Sequence, residues 1–423
     1  MSLSTIVALD LEQAPFGAAT RLRDLDAFEE FFWLIEQNVN VSHAVVVEVK
    51  GRATISQWLD AMDAVRVRYP LLSASIGKIP GRRPFFEKRH GASMPLRMAL
   101  LKDSMVLEDE MEKELERSFG DGSGPLTRAT LFYGYDRSVV LFTTHHSSLD
   151  GKSHLFLVQD LLAAVAGEEL GEPLKVQPGL GQLLGMPAPA EYRKTLKGRS
   201  VAPREGDRIE PRRVRVRRLQ LSVEETEVLQ RRAKEEETTV HAALVTALMQ
   251  AGRRYSEEWN AEPVRCLSTI DMRKSLEIPD TPGLLIGAHI APVPPSEETS
   301  FWDIARATRK DMLPSQSTKG ARPLLERLSS MLTEEHNAYD LYLSVINGPL
   351  AHELLVTNDA AYQPRTNYGD LRIENLFTGS PGARTVLQKV SVLMVNGRLG
   401  MTLVSRDLFP TLLEDAREIL IRV

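Results

Sequence analysis

Two adjacent histidines, His145 and His146, followed by Ser147, Ser148, Leu149, Asp150 and Gly151, have the types and spacing to do chemistry. A neutral imidazole with one free ring nitrogen takes a proton from a hydroxyl or an amine near neutral pH. Val139, Val140, Leu141 and Phe142 precede the pair as an apolar run, and a helical pattern from Ser153 follows it. The histidines therefore stand where a strand ends and a helix begins, on a turn that holds polar groups to a rigid scaffold. Neighbouring side chains on an extended chain point opposite ways. One ring can face a cavity while the other is held in the core. Asp150 can fix the turn through backbone amides or by pairing with an arginine elsewhere, and Gly151 lets the chain turn where a side chain would collide. Spacing alone leaves three readings open: a general base, a buried strand-end pair with satisfied hydrogen bonds, and a metal site. Against the metal, adjacent side chains diverge and no other cluster offers a third ligand. Cys266, the one cysteine, sits alone in an apolar stretch and reads as a small core hydrophobe. Neither Ser147 nor Ser148 has the G-x-S-x-G surroundings of a serine nucleophile.

The elements that must position these residues alternate in type. Ser42 to Gly51 is a β-branched run that predicts a strand, and Ser56 to Tyr69 carries apolar residues at helical spacing before Pro70. Strands are expected at Leu126–Tyr133 and Ser138–Thr144, then an amphipathic helix at Ser153–Val165. The second half repeats the texture. Ser222 and Glu225 form a capping box, Thr239 caps a mostly apolar helix to Arg253, and strands are expected at Val264–Ile270, Glu353–Val356, Thr385–Val395 and Leu399–Val404. Asn396–Gly397 predicts a tight hairpin between the last two, and a helix from Pro410 to Ile421 closes the chain. Between Gly171 and Pro211, six prolines interrupt both helix and strand patterns. The expected organisation is an N-terminal lobe over 1–172, a linker over 173–211 and a C-terminal lobe over 212–423.

Composition narrows the class. With 43% hydrophobic and 26% charged residues, the 423-residue chain is neither disordered nor fibrous, and it is long enough to fold without disulfides or a metal. A formal charge of −5 argues against a nucleic-acid binder. The longest uncharged apolar stretch, Thr281 to Ser296, carries four prolines and is too short to span a membrane. The N-terminus lacks the basic flank of a signal peptide. A soluble cytoplasmic protein of two lobes is expected; monomer is favoured, although the sequence leaves the oligomeric state open.

HHSSLDG resembles the HHxxxDG signature of the condensation-domain-like acyltransferases. These include nonribosomal peptide condensation domains, chloramphenicol acetyltransferase and the phthiocerol dimycocerosyl transferases. Pro125 to Ala129 (PLTRA) precedes the motif as PLxR does in that family, and Gly151 to Leu162 resembles its continuation. Thr239 to Leu248 and Ser268 to Leu276 (STIDMRKSL) resemble two of its second-domain segments. The resemblance implies an α/β fold of two chloramphenicol acetyltransferase-like lobes, mixed sheets with flanking helices, set in a V around a central tunnel. It implies that His146 is the catalytic base for attack on an acyl thioester. His145, Asp150, Gly151 and Arg273 would then be structural or orienting, with Asp150 paired to Arg273. The Gly151 amide is a candidate oxyanion donor. Asn358 would line the tunnel, as would His289, which reads as part of a loop bounded by Pro and Gly over Gly287–Pro292. No bound cofactor or metal is implied. The donor would be a coenzyme A thioester or a phosphopantetheinyl carrier protein, and the acceptor a small alcohol.

Two departures from the family's branches are plain in the sequence. The DFGWG motif of the plant-type enzymes is absent, and the SNLG segment of the phthiocerol transferases reads Val356–Thr357–Asn358–Asp359. Whole-chain texture favours transfer of a fatty or polyketide acyl group to a hydroxyl. The alternatives are a standalone condensation enzyme making an amide or a cyclised product, and a non-catalytic module that binds a carrier protein. Tyr192 to Arg218 carries eleven Lys and Arg against three acids. That stretch can dock an acidic carrier or coenzyme A phosphates, but a solvated linker and edge strand is favoured. His241 lies on an apolar helix and reads as a satisfied core histidine.

Overall fold

A computed structural model describes residues 19–89, 91–186, 212–295, 299–332, 343–382 and 387–423. In chain order the strands are β1 (Ala19–Asp24), β2 (His43–Lys50), β3 (Ala74–Gly77), β4 (Phe85–Arg89), β5 (Leu96–Leu100), β6 (Thr127–Tyr133), β7 (Arg137–Thr144), β8 (Arg215–Gln220), β9 (Val264–Asp271), β10 (Ile286–Val293), β11 (Leu354–Asn358), β12 (Asn367–Tyr368), β13 (Leu371–Gly379), β14 (Gln388–Val395) and β15 (Arg398–Ser405). They form two six-stranded sheets, ordered β12-β13-β2-β7-β6-β5 and β10-β9-β11-β14-β15-β8, and a small sheet β1-β4-β3. Both large sheets are mixed: β5 runs parallel to β6, and β11 parallel to β9 and β14. This is the two-lobed α/β architecture expected from the sequence, with no closed barrel.

β2 is apolar at successive residues from Ala44 to Val47 because both of its faces are covered. Val45, Val47 and Val49 pack under the helices Ile55–Arg68 and Gly151–Val165, while Ala44 and Val46 face Val216 and Val404 of the second sheet. The helix Val240–Gly252 is buried along most of its length because it packs on the second sheet and against the closing helix Leu412–Arg422. The hairpin between β14 and β15 turns at Asn396 and Gly397, both at positive φ, as the Asn-Gly pair requires.

The sheets are not built from separate halves of the chain. β13 belongs to the C-terminal half by sequence, yet it pairs antiparallel with β2 and completes the first sheet. The chain then returns as β14 in the middle of the second sheet. At Gly379, the end of β13, an added Cβ would lie 2.7 Å from Val404, so the sheets approach too closely there for any side chain.

Residues 187–211 of the expected linker lie outside the described residues, as does most of the basic stretch. Its described end forms β8, an edge strand. Arg215 and Arg218 of β8 pair with Glu112 and Glu108 of the helix Leu107–Leu115, and Glu112 accepts the Val216 amide at 2.8 Å. Those bases and carboxylates cover an open sheet edge. Among the described residues, no helix is long and apolar enough to cross a membrane.

Candidate active site

The turn after β7 is built from its own polar atoms. The His145 amide donates to Leu126 O at 2.8 Å, and its carbonyl accepts from Ser148 Oγ at 2.8 Å. Its ring Nδ1 meets the Ser147 amide at 3.1 Å and Ser147 Oγ at 2.8 Å. His145 is fully buried, and that burial pushes its pKa down to about 3. His145 is therefore a neutral brace inside the turn.

His146 points the other way. Its ring stacks on Phe32 with centroids 4.2 Å apart and stands 5.2 Å from the His43 ring. Nδ1 is sealed from solvent without a well-formed hydrogen bond, whereas Nε2 is neither bonded nor sealed. Of the two nitrogens, Nε2 is therefore the one with access to incoming groups. Burial, then the nearby charge of Lys389, hold the ring well below the usual imidazole pKa, while its own backbone carbonyl favours a proton on it.

Two further histidines complete the cluster. His43, at the start of β2, contacts Thr378 Oγ1 of β13 through Nε2. Its ring meets the His154 ring edge-on at 4.5 Å. His154 is tied at both nitrogens, to Thr144 Oγ1 and to Asp150 O, each at 2.9 Å. Both are depressed chiefly by burial, His154 to about 4. No group of three His, Cys, Asp or Glu side chains among the described residues is arranged to hold a metal ion. His43 Nε2 and both nitrogens of His154 are engaged by hydroxyls and a carbonyl.

Asp150 caps the helix Gly151–Val165, accepting the Ser153 amide at 2.9 Å. The structure brings it together with Arg273, which follows β9 on the opposite lobe. Arg273 Nη1 lies 3.0 Å from Asp150 Oδ2, and Nη2 lies 3.1 Å from Oδ1. Leu285 N and Ser153 Oγ also donate to the carboxylate, and Arg273 is anchored by Thr281 O and Asp271. Burial alone would raise the Asp150 pKa; the guanidinium and these donors hold it below the usual carboxylate value. A fork of this geometry clamps the turn to the other lobe.

Gly151 has a steric cause. A Cβ there would lie 3.0 Å from Asp359 Oδ2 and 3.3 Å from His43 Cε1. Asp359 is pushed up to about 7 by burial and by Asp150 and Asp271. Asn358 ends β11, its Oδ1 accepting the Ala360 amide at 2.9 Å, and it lines a cavity of about 710 Å³ with His241, Asp271, Lys274 and Met312. His241 is satisfied by Ser268 Oγ at 2.7 Å but also faces this cavity. His289 is not on a loop, as its Pro and Gly neighbours suggested. It lies on β10, an edge strand where Pro292 is tolerated, and it contacts Ser315 and Asp311 rather than the residues around His146. Cys266 is buried in the second core, its thiol pushed up to about 12.

Phe32, His43, His154, Asp359 and Lys389 also stand at or beside this cluster, and the sequence did not single them out. A signal existed for two of them: His154 is four residues from Asp150 on the same helix, and Lys389 is a charge inside an otherwise apolar strand.

Residues 210–312 match the family model described as phthiocerol/phthiodiolone dimycocerosyl transferase C-terminus. No curated protein matches the chain in sequence. Among solved structures, polyketide synthase associated protein 5 from Mycobacterium tuberculosis is similar at 17% identity and a TM-score of 0.66, over 95% of this chain and 97% of that one. The first condensation domain of the CDA synthetase is similar at 16% identity and 0.65, over 95% and 94%. TRI101 of F. graminearum, in complex with ethyl coenzyme A, gives 11% identity and 0.65, over 96% and 98%. The chain therefore has the two-lobed fold of the condensation-domain-like, chloramphenicol acetyltransferase-like acyltransferases.

Proposed function

We propose that this protein is an acyltransferase that moves a fatty or polyketide-type acyl group from a thioester to a hydroxyl acceptor, with His146 as general base. The observation that carries the reading is a neutral imidazole at the seam of two lobes, with Nε2 open and the turn behind it clamped by Asp150 and Arg273.

In the proposed step, a proton on Nδ1 leaves Nε2 as the basic atom. Nε2 takes the proton of the acceptor O–H as the oxygen attacks the thioester carbonyl. The carbonyl electron pair moves to oxygen, giving a tetrahedral oxyanion and an imidazolium. Collapse breaks the C–S bond, and the thiolate recovers the proton from His146, so that ester and thiol leave a neutral ring. The chain supplies no covalent acyl-enzyme in this scheme. Burial serves it by keeping His146 unprotonated at rest and by strengthening every charge interaction around the oxyanion. Asp150 and Arg273 act as orienting groups, because the carboxylate is spent on Arg273, Ser153 and Leu285.

A coenzyme A thioester fits as donor, since TRI101 of the same fold is complexed with ethyl coenzyme A and with coenzyme A. A phosphopantetheinyl carrier protein is the alternative. The test is transfer from radiolabelled acetyl-, octanoyl- and palmitoyl-coenzyme A, or the same groups on a carrier protein, to a panel of small alcohols and amines. Ester products support the reading. Amide products alone would move the chain to the amide-forming class. Donor binding without any product would make it a binding module.

A further inference from the structure

β14 presents two faces. Val390, Val392 and Met394 pack into the second core, while Leu393 and Val395 pack into the first. By strand alternation Lys389 and Ser391 lie on the face turned to the first lobe. Lys389 is 9% exposed, and its ammonium donates to Ser380 Oγ, one residue beyond β13. Ser380 follows Thr378 and Gly379, and Thr378 holds His43, whose ring is 5.2 Å from that of His146. The positive charge of Lys389 is felt by both His43 and His146. Among the described residues no carboxylate comes within ion-pair distance of it. Its hydrogen-bond partner among the described residues is the Ser380 hydroxyl, and two residues along the strand the buried Ser391 hydroxyl has no partner.

A buried ammonium without a counter-ion is costly. Nothing in the packing of β14 requires one, since its neighbours on the same face are Ser391 and Leu393. The arrangement suits an anion that is present only part of the time, beside the base.

We propose that Lys389 is a second catalytic group of this site: its ammonium, aimed by Ser380, donates to the oxyanion that forms on the thioester carbonyl when the acceptor attacks beside His146. The inference rests on the acyl-transfer reading of the His146 site. Lys389 keeps its proton throughout. It balances the negative oxygen as the C–O bond forms and is left without an anion when the C–S bond breaks. Its charge adds to burial in holding the His146 ring neutral before the acceptor arrives. Ser380 is a positioning residue.

The test compares Lys389→Met and Lys389→Arg with the unaltered protein, using whichever donor and acceptor above give product. Lys389→Met should lower kcat by about 10²–10³, the loss seen when an oxyanion donor is removed, with KM for both substrates nearly unchanged. Lys389→Arg, which keeps the charge, should recover part of it. Burial brings the Lys389 pKa down to about 8. The ammonium is therefore present below that pH and lost above it, so kcat should fall above about pH 8 in the parent and lose that limb in Lys389→Met. Equal or higher thermal stability of Lys389→Met separates the effect from misfolding. A kcat within about threefold of the parent, or a rise in KM at unchanged kcat, would overturn the role while leaving His146 in place. No transfer by the parent protein with any donor would overturn both.

Discussion

At the scale of single residues, the site divides its histidines by what their rings can reach. His145 Nδ1 and both His154 nitrogens are spent on hydroxyls, an amide and a carbonyl, and of the adjacent pair only His146 has a nitrogen that is not sealed. Asp150 is likewise spent. Its replacement by Ala leaves the Arg273 guanidinium buried without its principal partner. We expect a loss of about 3–5 kcal/mol in urea unfolding, and a smaller combined loss when Arg273→Met is added, because the stranded charge is then gone. An unchanged midpoint for Asp150→Ala would contradict the clamp. The buried imidazoles also set the acid limit. Their folded pKa values lie below the unfolded value of about 6.5, so the unfolded chain binds protons that the folded one does not. Stability is complete above that pH and is lost as pH falls toward the folded values, about 4 for His154 and about 3 for His145. Each such ring contributes a slope of about 1.4 kcal/mol per pH unit. Urea midpoints at pH 7.5 and 5.5 should differ clearly; equal midpoints would mean that these rings titrate normally.

At the scale of elements, the turn between β7 and the helix Gly151–Val165 was legible because its signals are local: two histidines at a strand end, a capping aspartate, and a glycine. Arg273 was legible only through the STIDMRKSL resemblance, since nothing in its own neighbours says that it crosses to Asp150. His43 was invisible for a physical reason. It opens a β-branched run that reads as core, and it joins the site because β13 pairs with β2 and brings Thr378, 335 residues away, to its ring. Lys389 was hidden in the same way by β14. The reading of His289 as a loop residue failed because edge strands tolerate the Pro292 that suggested a loop. The turn also has no room to grow. Gly151→Ala should cost about 1–3 kcal/mol of stability, as overpacking does, and should lower activity further by pushing on Asp359 and His43. Full activity and an unshifted melt would mean that the turn relaxes freely.

At the scale of the molecule, the lobes are interleaved. β12 and β13 finish the first sheet, and the Asp150–Arg273 fork pins the second lobe to the first. A fragment of residues 19–186 lacks both strands and exposes the long apolar edge of β2. Expressed alone, it should aggregate or show no cooperative melt by circular dichroism, and co-expression with residues 212–423 should rescue it. A fragment that folds cooperatively by itself would contradict this. The interleaving is what a division into two near-equal halves leaves out. The seam is made of long-range pairings, which set His43 beside His146 and bring Lys389 to Ser380.

Steady-state transfer by His146→Ala tests the central claim most directly. The account predicts a kcat lower by about 10²–10⁴, the usual contribution of a general base, with a thermal melt matching that of the unaltered protein. Turnover within about tenfold of the parent would remove His146 from the role of base.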